Sequence, residues 1–263
     1  MQPTGGFAWV QAAPGAALVC RPLGAIAQHL YTTREWALGS PSSDLEEAWD
    51  EVARAAGVDR RHLVRVRQVH GSAVLRVQTG TMPSFAPTDA DIIVTSDPSV
   101  AVAIQTADCV PLLLADPRSG AVAAAHAGWR GLAVRVPAVA VAALQREFGS
   151  DPVDLVAAAG PSISADRYEV GPDVRGHFID AGFDRRQLDR WFLDGRRPGH
   201  WQFDGWLAVR DQLIEAGLRP DAIHLAGLCT AANPDRFCSY RRDGSPAGRM
   251  AAVIRPGVPI GPR

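Results

Sequence analysis

The sequence predicts an α/β fold, and three features of it carry that expectation. Residues 100–104, 110–115 and 121–125 are short apolar runs bounded by Asp, Pro, Gly and Ser, the pattern of strands buried on both faces. Segments with apolar residues every three or four positions are interspersed with such runs, at 45–56, 132–148 and 203–213. Further apolar runs at 153–159 and 223–228 follow the later helical segments, so strand and helix patterns interleave along the chain.

Taken in order, residues 7–33 alternate between apolar runs and glycine or proline turns, and 26–33 (IAQHLYTT) read as a strand leading to Arg34. Leu45, Ala48, Trp49, Val52 and Ala56 follow the N-cap types Ser43 and Asp44, with Gly57 as the stop, which predicts an amphipathic helix. Residues 62–69 (HLVRVRQV) alternate at period two, His70-Gly71 makes a turn, and 73–77 alternate again. That predicts a hairpin or a bulged strand with His70 at the turn. Residues 88–96 (TDADIIVTS) lead an acidic pair into an apolar strand.

Pro137 would cost about 3 kcal/mol inside a helix, so the helix within 132–148 starts there or kinks there. Gly160-Pro161-Ser162 is a loop type that brings backbone close to a ligand. Phe203, Trp206, Val209 and Leu213 mark a helix ending at Gly217, and 236–254 (RFCSYRRDGSPAGRMAAVI) read as two strands joined at Asp243-Gly244. Residues 194–200 (DGRRPGH) read as a mobile loop.

With 263 residues the chain is long enough to bury a sizeable core, and one domain over residues 1–263 is expected. Its net charge of −1, with only 21% charged residues, excludes a nucleic-acid footprint, so the expected ligand is a small molecule. Neither a run of eighteen apolar residues nor a secretory signal is seen, which places the chain in the cytoplasm and off the membrane. There Cys20, Cys109, Cys229 and Cys238 are thiols, nucleophiles or ligands rather than a disulfide framework. Nothing in the pattern demands an oligomer, and a monomer is expected.

His70, Cys109 and His126 each fall where an apolar strand gives way to a turn, and together they form a His₂Cys set. Two imidazoles and a thiolate suit zinc with one coordination position left for water or substrate. Taken singly, a buried Cys packs as a small hydrophobe and a buried His is a hydrogen-bonded core residue, so the signal lies in the set. His₂Cys is also the core of a blue-copper centre. The seven histidines, however, include no His-x-His pair, so a trinuclear copper cluster and laccase chemistry are not expected. Copper enters only as a substitute ion. For anions, Arg34, Arg54, Arg130, Arg241 and Arg242 offer planar forks that fit phosphate, and Trp129 could stack a base or pack in the core.

Several motifs now converge: RQVHG at 67–71, TADCVPLLLAD at 106–116, AAHAGWRG at 124–131, GPSI at 160–163, YEVG at 168–171 and CTAANPDRFCSYRRDG at 229–244, followed by GRMAAVI. In this order, over most of the chain, they resemble the laccase-domain family. That family has long been labelled polyphenol oxidase or multicopper oxidoreductase. It is now viewed as purine nucleoside phosphorylases that also deaminate adenosine, and one branch is called peptidoglycan editing factor. The resemblance implies a single layered α/β/β/α domain with mixed sheets.

It also implies that His70, Cys109 and His126 form a zinc-binding catalytic set. Beside that set, Asp108 is expected as proton shuttle, with Arg34, Gln68, Arg130 and Arg242 on the substrate side. The implied substrates are phosphate and a purine nucleoside: adenosine, inosine, guanosine or methylthioadenosine. GPSI and YEVG would shape the pocket, and Cys238 would pack. The chain departs from the family pattern at Ala48-Trp49, where an Asn-Arg pair is common, and at Glu35-Trp36-Ala37, which replace a glycine-rich continuation. Two other readings stand beside this one. In the first, Cys109 is a thiolate nucleophile with His126 as base, hydrolysing a peptidoglycan precursor without metal. In the second, the chain is a non-catalytic metal-binding protein.

Overall fold

The apolar runs of the central segment do form strands, but the chain changes sheets between them. The computed structural model describes residues 2–39, 46–78 and 88–257. Along the chain, β1 (Phe7–Gln11) and β2 (Ala16–Cys20) form a hairpin, then come α1 (Arg21–Gly24), β3 (Gln28–Thr32) and α2 (Glu46–Ala55). Six strands follow: β4 (Leu63–Val64), β5 (Val74–Val77), β6 (Ile92–Thr95), β7 (Ala101–Thr106), β8 (Val110–Ala115) and β9 (Val122–Ala127). After them come α3 (Trp129–Ala133), α4 (Val136–Phe148), β10 (Val156–Ala159), β11 (Glu169–Val170), α5 (Pro172–Asp180) and α6 (Arg185–Trp191). The last elements are β12 (Phe192–Asp194), β13 (Trp201–Phe203), α7 (Gly205–Glu215), β14 (Ile223–Leu225), α8 (Tyr240–Asp243) and β15 (Met250–Arg255).

Two six-stranded mixed sheets result, ordered β1-β2-β3-β15-β7-β4 and β14-β10-β8-β9-β6-β5, with a small third sheet β11-β13-β12. Strand alternation sorts the side chains into layers. Ile93, Leu113, Val122 and Ala124 of the second sheet meet Val102, Ile104, Ala252 and Ile254 of the first. On the outer face of the second sheet, Ile92, Leu112, Leu114 and Ala125 pack on Val141 and Leu144 of α4 and Val209 and Leu213 of α7. On the outer face of the first, Ala101, Ala103 and Val253 cover Trp49 and Val52 of α2. The order of layers is therefore α/β/β/α.

Several local expectations are corrected. Residues 62–77 are not a hairpin: β4 pairs in parallel with β7 in the first sheet, and β5 in parallel with β6 in the second. Alternation along a strand does not say which sheet a strand joins, and here the chain crosses between them. The expectation for Pro137 holds: it lies in the first turn of α4, where its missing N–H is harmless, and Arg135 with φ 61° separates α4 from the preceding short helix. In the tail, residues 240–243 form α8 rather than a strand, capped by the Ser239 hydroxyl, which accepts the Arg242 N–H. Phe203 belongs to β13, ahead of α7.

The 194–200 segment is a hairpin loop whose Gly195 N–H donates to the His200 carbonyl, with Arg197 paired to Glu169. Gly160 serves packing: a Cβ there would lie 2.3 Å from the ring of Tyr31, whose hydroxyl donates to the Ala158 carbonyl. The N-cap pair Ser43 and Asp44 lies outside the described residues.

Two crossings position the site. Residues 65–73 carry the chain from β4 to β5, and residues 107–109 carry it from β7 to β8, each from the first sheet to the second. Both therefore pass over an end of the layer between the sheets.

Candidate metal centre

His70 lies on the first crossing and Cys109 at the end of the second. His126 lies within β9, buried at 3% exposure, rather than at a turn. Its neighbours Ala125 and Ala127 pack toward the helices, so alternation aims the imidazole into the layer between the sheets. Opposite it on β8 is Pro111, and Cys109, two residues earlier, shares that face. The three side chains thus meet: one ligand atom from each of His70, Cys109 and His126 lies within 4.8 Å of the others. The two imidazole rings stand nearly perpendicular at 78°.

Asp91 is the residue that organises this cluster. The β6 to β9 register pairs Ile92 with Ala125, which sets Asp91 beside His126. The fully buried carboxylate accepts His126 Nδ1–H at 2.9 Å and the backbone N–H groups of Val69 (3.1 Å), His70 (3.0 Å) and Gly71 (2.7 Å). Three successive N–H groups curl around one anion because His70 adopts φ 60°, a left-handed conformation that a non-glycine residue keeps only when its surroundings hold it. One carboxylate therefore fixes both histidines. Burial pushes the Asp91 pKa up, but the bonds from His126 and Gly71 outweigh it and hold the group below its usual range.

Electrostatics favour a thiolate. Burial raises the Cys109 pKa, yet the charge and hydrogen bonds of His126, with those of His70, bring it down to about 6. Burial lowers the His126 pKa, but the Cys109 thiolate and the Asp91 carboxylate push it up to about 9. The donor set fits a divalent metal of the zinc type: a soft thiolate already formed, and two imidazoles of which one has its other nitrogen tied to a carboxylate. Gly128 completes the fit, since a Cβ there would lie 2.8 Å from Cys109 Sγ.

A cavity of about 1040 Å³ opens from this cluster. Gln68 and Arg130 line it, as expected from sequence. Gln68 exchanges hydrogen bonds with the Gln105 backbone, and Arg130 stacks 4.3 Å from the Trp129 ring. Asp108, at φ 87°, also lines it, but its oxygens are engaged by the Thr230 hydroxyl and the Arg241 N–H. Arg34 and Arg242 are not among the lining residues. Arg34 donates to the Pro234 carbonyl, and Arg242 spans the Thr230, Ala231 and Phe237 carbonyls, bracing its own loop. Tyr168, from the YEVG run expected to shape the pocket, and the anion candidate Arg241 also line it, whereas Arg249, Arg60 and Arg65 line it with no sequence signal pointing to them. The sequence signal for Asp91 was the acidic pair before β6, which gave no hint of its partners.

The layered fold and the His-Cys-His cluster define a mixed α/β protein with a candidate metal centre at the end of its sandwich. The model of the family described as multi-copper polyphenol oxidoreductase laccase matches residues 21–256, and the chain belongs to that family. A purine nucleoside phosphorylase of Deinococcus radiodurans is 36% identical over 260 residues, covering 94% of this chain and 95% of that protein. A purine nucleoside phosphorylase of Xylella fastidiosa is 41% identical over 192 residues, covering 72% and 70%. Among solved structures, the hypothetical protein YfiH of Bacillus licheniformis superposes with a TM-score of 0.85 at 27% identity, covering 95% of this chain and 99% of that one. YlmD from Geobacillus stearothermophilus gives the same figures. Among the described residues no helix is long and apolar enough to cross a membrane.

Proposed function

We propose that the chain is a zinc-dependent purine nucleoside phosphorylase that also deaminates adenosine, with copper able to replace zinc. The observation that carries this reading is the convergence of His70, Cys109 and His126, within 4.8 Å, in an arginine-lined cavity. The names of relatives sharing 36% and 41% identity support it. In this reading residues 1–263 act as one catalytic domain, a cytoplasmic monomer, on adenosine, inosine, guanosine or methylthioadenosine.

When bound, the ion supplies a Lewis acid and an activated oxygen nucleophile at neutral pH. The chain's own residues do the rest. Asp91 holds the Nδ1–H of His126, leaving Nε2 to face Cys109. Arg130 and Arg241 present guanidinium groups for a phosphate, and the rings of Trp129 and Tyr168 offer faces for a purine. Asp108, with both oxygens engaged, holds the Cys109 turn against α8 rather than carrying a proton. Gln68 spaces the first crossing from β7, while Arg34 and Arg242 act through their loop.

The test is incubation of the zinc-loaded protein with inosine and adenosine, with and without phosphate, following hypoxanthine, adenine and ribose 1-phosphate. Phosphate-dependent release of base is expected, and inosine formed from adenosine would report deamination. No product from protein carrying zinc would contradict the proposal. One observation favours a second reading: Cys109, His126 and Asp91 form a nucleophile, base and orienting carboxylate in sequence. That dyad would hydrolyse a peptidoglycan precursor without metal. His70→Ala separates the two, abolishing metal-dependent phosphorolysis but sparing a cysteine hydrolase.

A further inference from the structure

At about 1040 Å³ the cavity is at the top of the range of roughly 300–1,000 Å³ that encloses a drug-sized ligand, more than one nucleoside fills. Part of its wall is made by Arg60, Arg65 and Glu46, none of them a ligand of the metal centre. Arg65 lies five residues before His70, so the chain separates them by at most ~18 Å. Arg60 and Arg65 are largely covered, with 21% and 20% of their side chains exposed, and both grip the same carboxylate. One Glu46 oxygen accepts from Arg60 Nη2 and the other from Arg65 Nη2, the latter at 3.0 Å.

The match is incomplete. A guanidinium presents Nε–H and Nη–H as a planar fork that calls for two oxygens. Glu46 gives Arg60 one oxygen, and Arg60 Nε is buried with no hydrogen-bond acceptor among the described residues. Asp50 lies 3.9 Å from it, beyond hydrogen-bond reach. Glu46 therefore leaves the Arg60 fork one oxygen short, and a phosphoryl group, with three equivalent oxygens, supplies the missing one while still meeting Arg65. Glu46 is also easily displaced, since its side chain is 66% exposed.

We infer that Arg60 and Arg65 form a phosphoryl seat in the cavity, separate from the metal centre, which Glu46 closes when the seat is empty. The occupant is either a phosphoryl group carried on the ligand or a free phosphate ion. The inference rests on the nucleoside reading only for the choice of probes.

Calorimetric titration of the metal-loaded full chain with adenosine, adenosine 5′-monophosphate, adenosine 5′-diphosphate and inorganic phosphate tests it, in the wild type, Glu46→Gln and Arg60→Lys. Removing the competing carboxylate in Glu46→Gln should tighten the seat's occupant about threefold or more. Arg60→Lys keeps the charge but loses the fork, and should weaken the same probe about tenfold. Adenosine should bind equally to all three proteins. If the two nucleotides respond and bind at least about tenfold tighter than adenosine, the group is carried on the ligand. If inorganic phosphate alone responds, the occupant is the free ion. Phosphate-bearing probes that bind all three folded proteins alike would overturn the seat. A phosphate response without any adenosine binding would instead count against the nucleoside reading and leave the seat standing.

Discussion

Replacing Asp91 by Asn probes the metal centre without touching a ligand. The carboxylate accepts four hydrogen bonds, from His126 Nδ1, Val69 N, His70 N and Gly71 N, with Oδ1 serving His126 and His70 and Oδ2 serving Val69 and Gly71. An amide of the same shape keeps one oxygen and turns the other into a donor. Whichever way it is oriented, two of the four donors face an NH₂ group. A buried donor left unpaired costs about 1–3 kcal/mol, and the loss of charge weakens the two bonds that remain.

Relaxation will come at the least constrained point, the left-handed backbone of His70 at φ 60°, which the carboxylate holds in place. A displaced His70 and a His126 free to rotate should lower metal affinity about 10–100-fold, equivalent to ~1.4–2.7 kcal/mol. Competition for zinc against a chromophoric chelator measures this directly. Asp89→Asn is the control: Asp89 is exposed, pairs with Arg67, and should leave affinity unchanged. An Asp91→Asn protein that is folded and binds zinc within about threefold of the wild type would refute the role given to this carboxylate.

Gly128→Ala should displace the thiolate, because the new methyl would lie 2.8 Å from Cys109 Sγ. Zinc occupancy should fall at least about tenfold while the melting temperature shifts by only a few degrees, whereas full occupancy would show that the site yields. Gly160→Ala should instead destabilise the fold by ~1–3 kcal/mol, since its methyl would collide with buried Tyr31; thermal melting reads this, and an unchanged melting temperature counts against it.

His29 gives a pH dependence. Its Nε2 accepts the Cys20 N–H at 2.8 Å and its Nδ1 meets the Ala27 carbonyl, so the native ring is neutral; burial lowers its pKa from 6.5 to about 4. Between those values the unfolded chain binds a proton that the native chain does not, so this contribution to stability is complete above pH ~6.5. It shrinks as pH falls toward ~4, by up to ~3 kcal/mol in all. Denaturant midpoints for the wild type and His29→Gln check it, and the variant's profile should be flatter across that window.

Much of the architecture was legible because apolar runs and helical spacing are local signals. The strands at 101–106, 110–115 and 122–127 and the helix at 46–55 stand where their patterns place them. What could not be read was which sheet each strand joins. Residues 63–64 and 74–77 looked like partners, yet they lie in different sheets, because pairing is decided by core layers that span the whole chain. The two- and three-residue strands around 169, 192 and 201 are too short to show a period.

Within the site, His70, Cys109 and His126 stood out as chemically distinctive residues. Asp91 became visible as their organiser only once the antiparallel register set it beside His126, 35 residues away. Arginines are the least legible, since their long side chains reach far from the backbone. Arg242 spends its donors on carbonyls of its own loop, while Arg65 reaches the cavity from a stretch that reads as an ordinary strand and Arg60 from the turn just before it.

Elemental analysis of the purified chain after zinc loading and desalting, set beside His70→Ala and Cys109→Ala, tests the metal centre most directly. About one zinc per wild-type chain, with little or none in either folded variant, is the result expected of a three-ligand site. A wild-type chain that is folded and stays free of metal, or variants that keep a full complement of zinc, would contradict it.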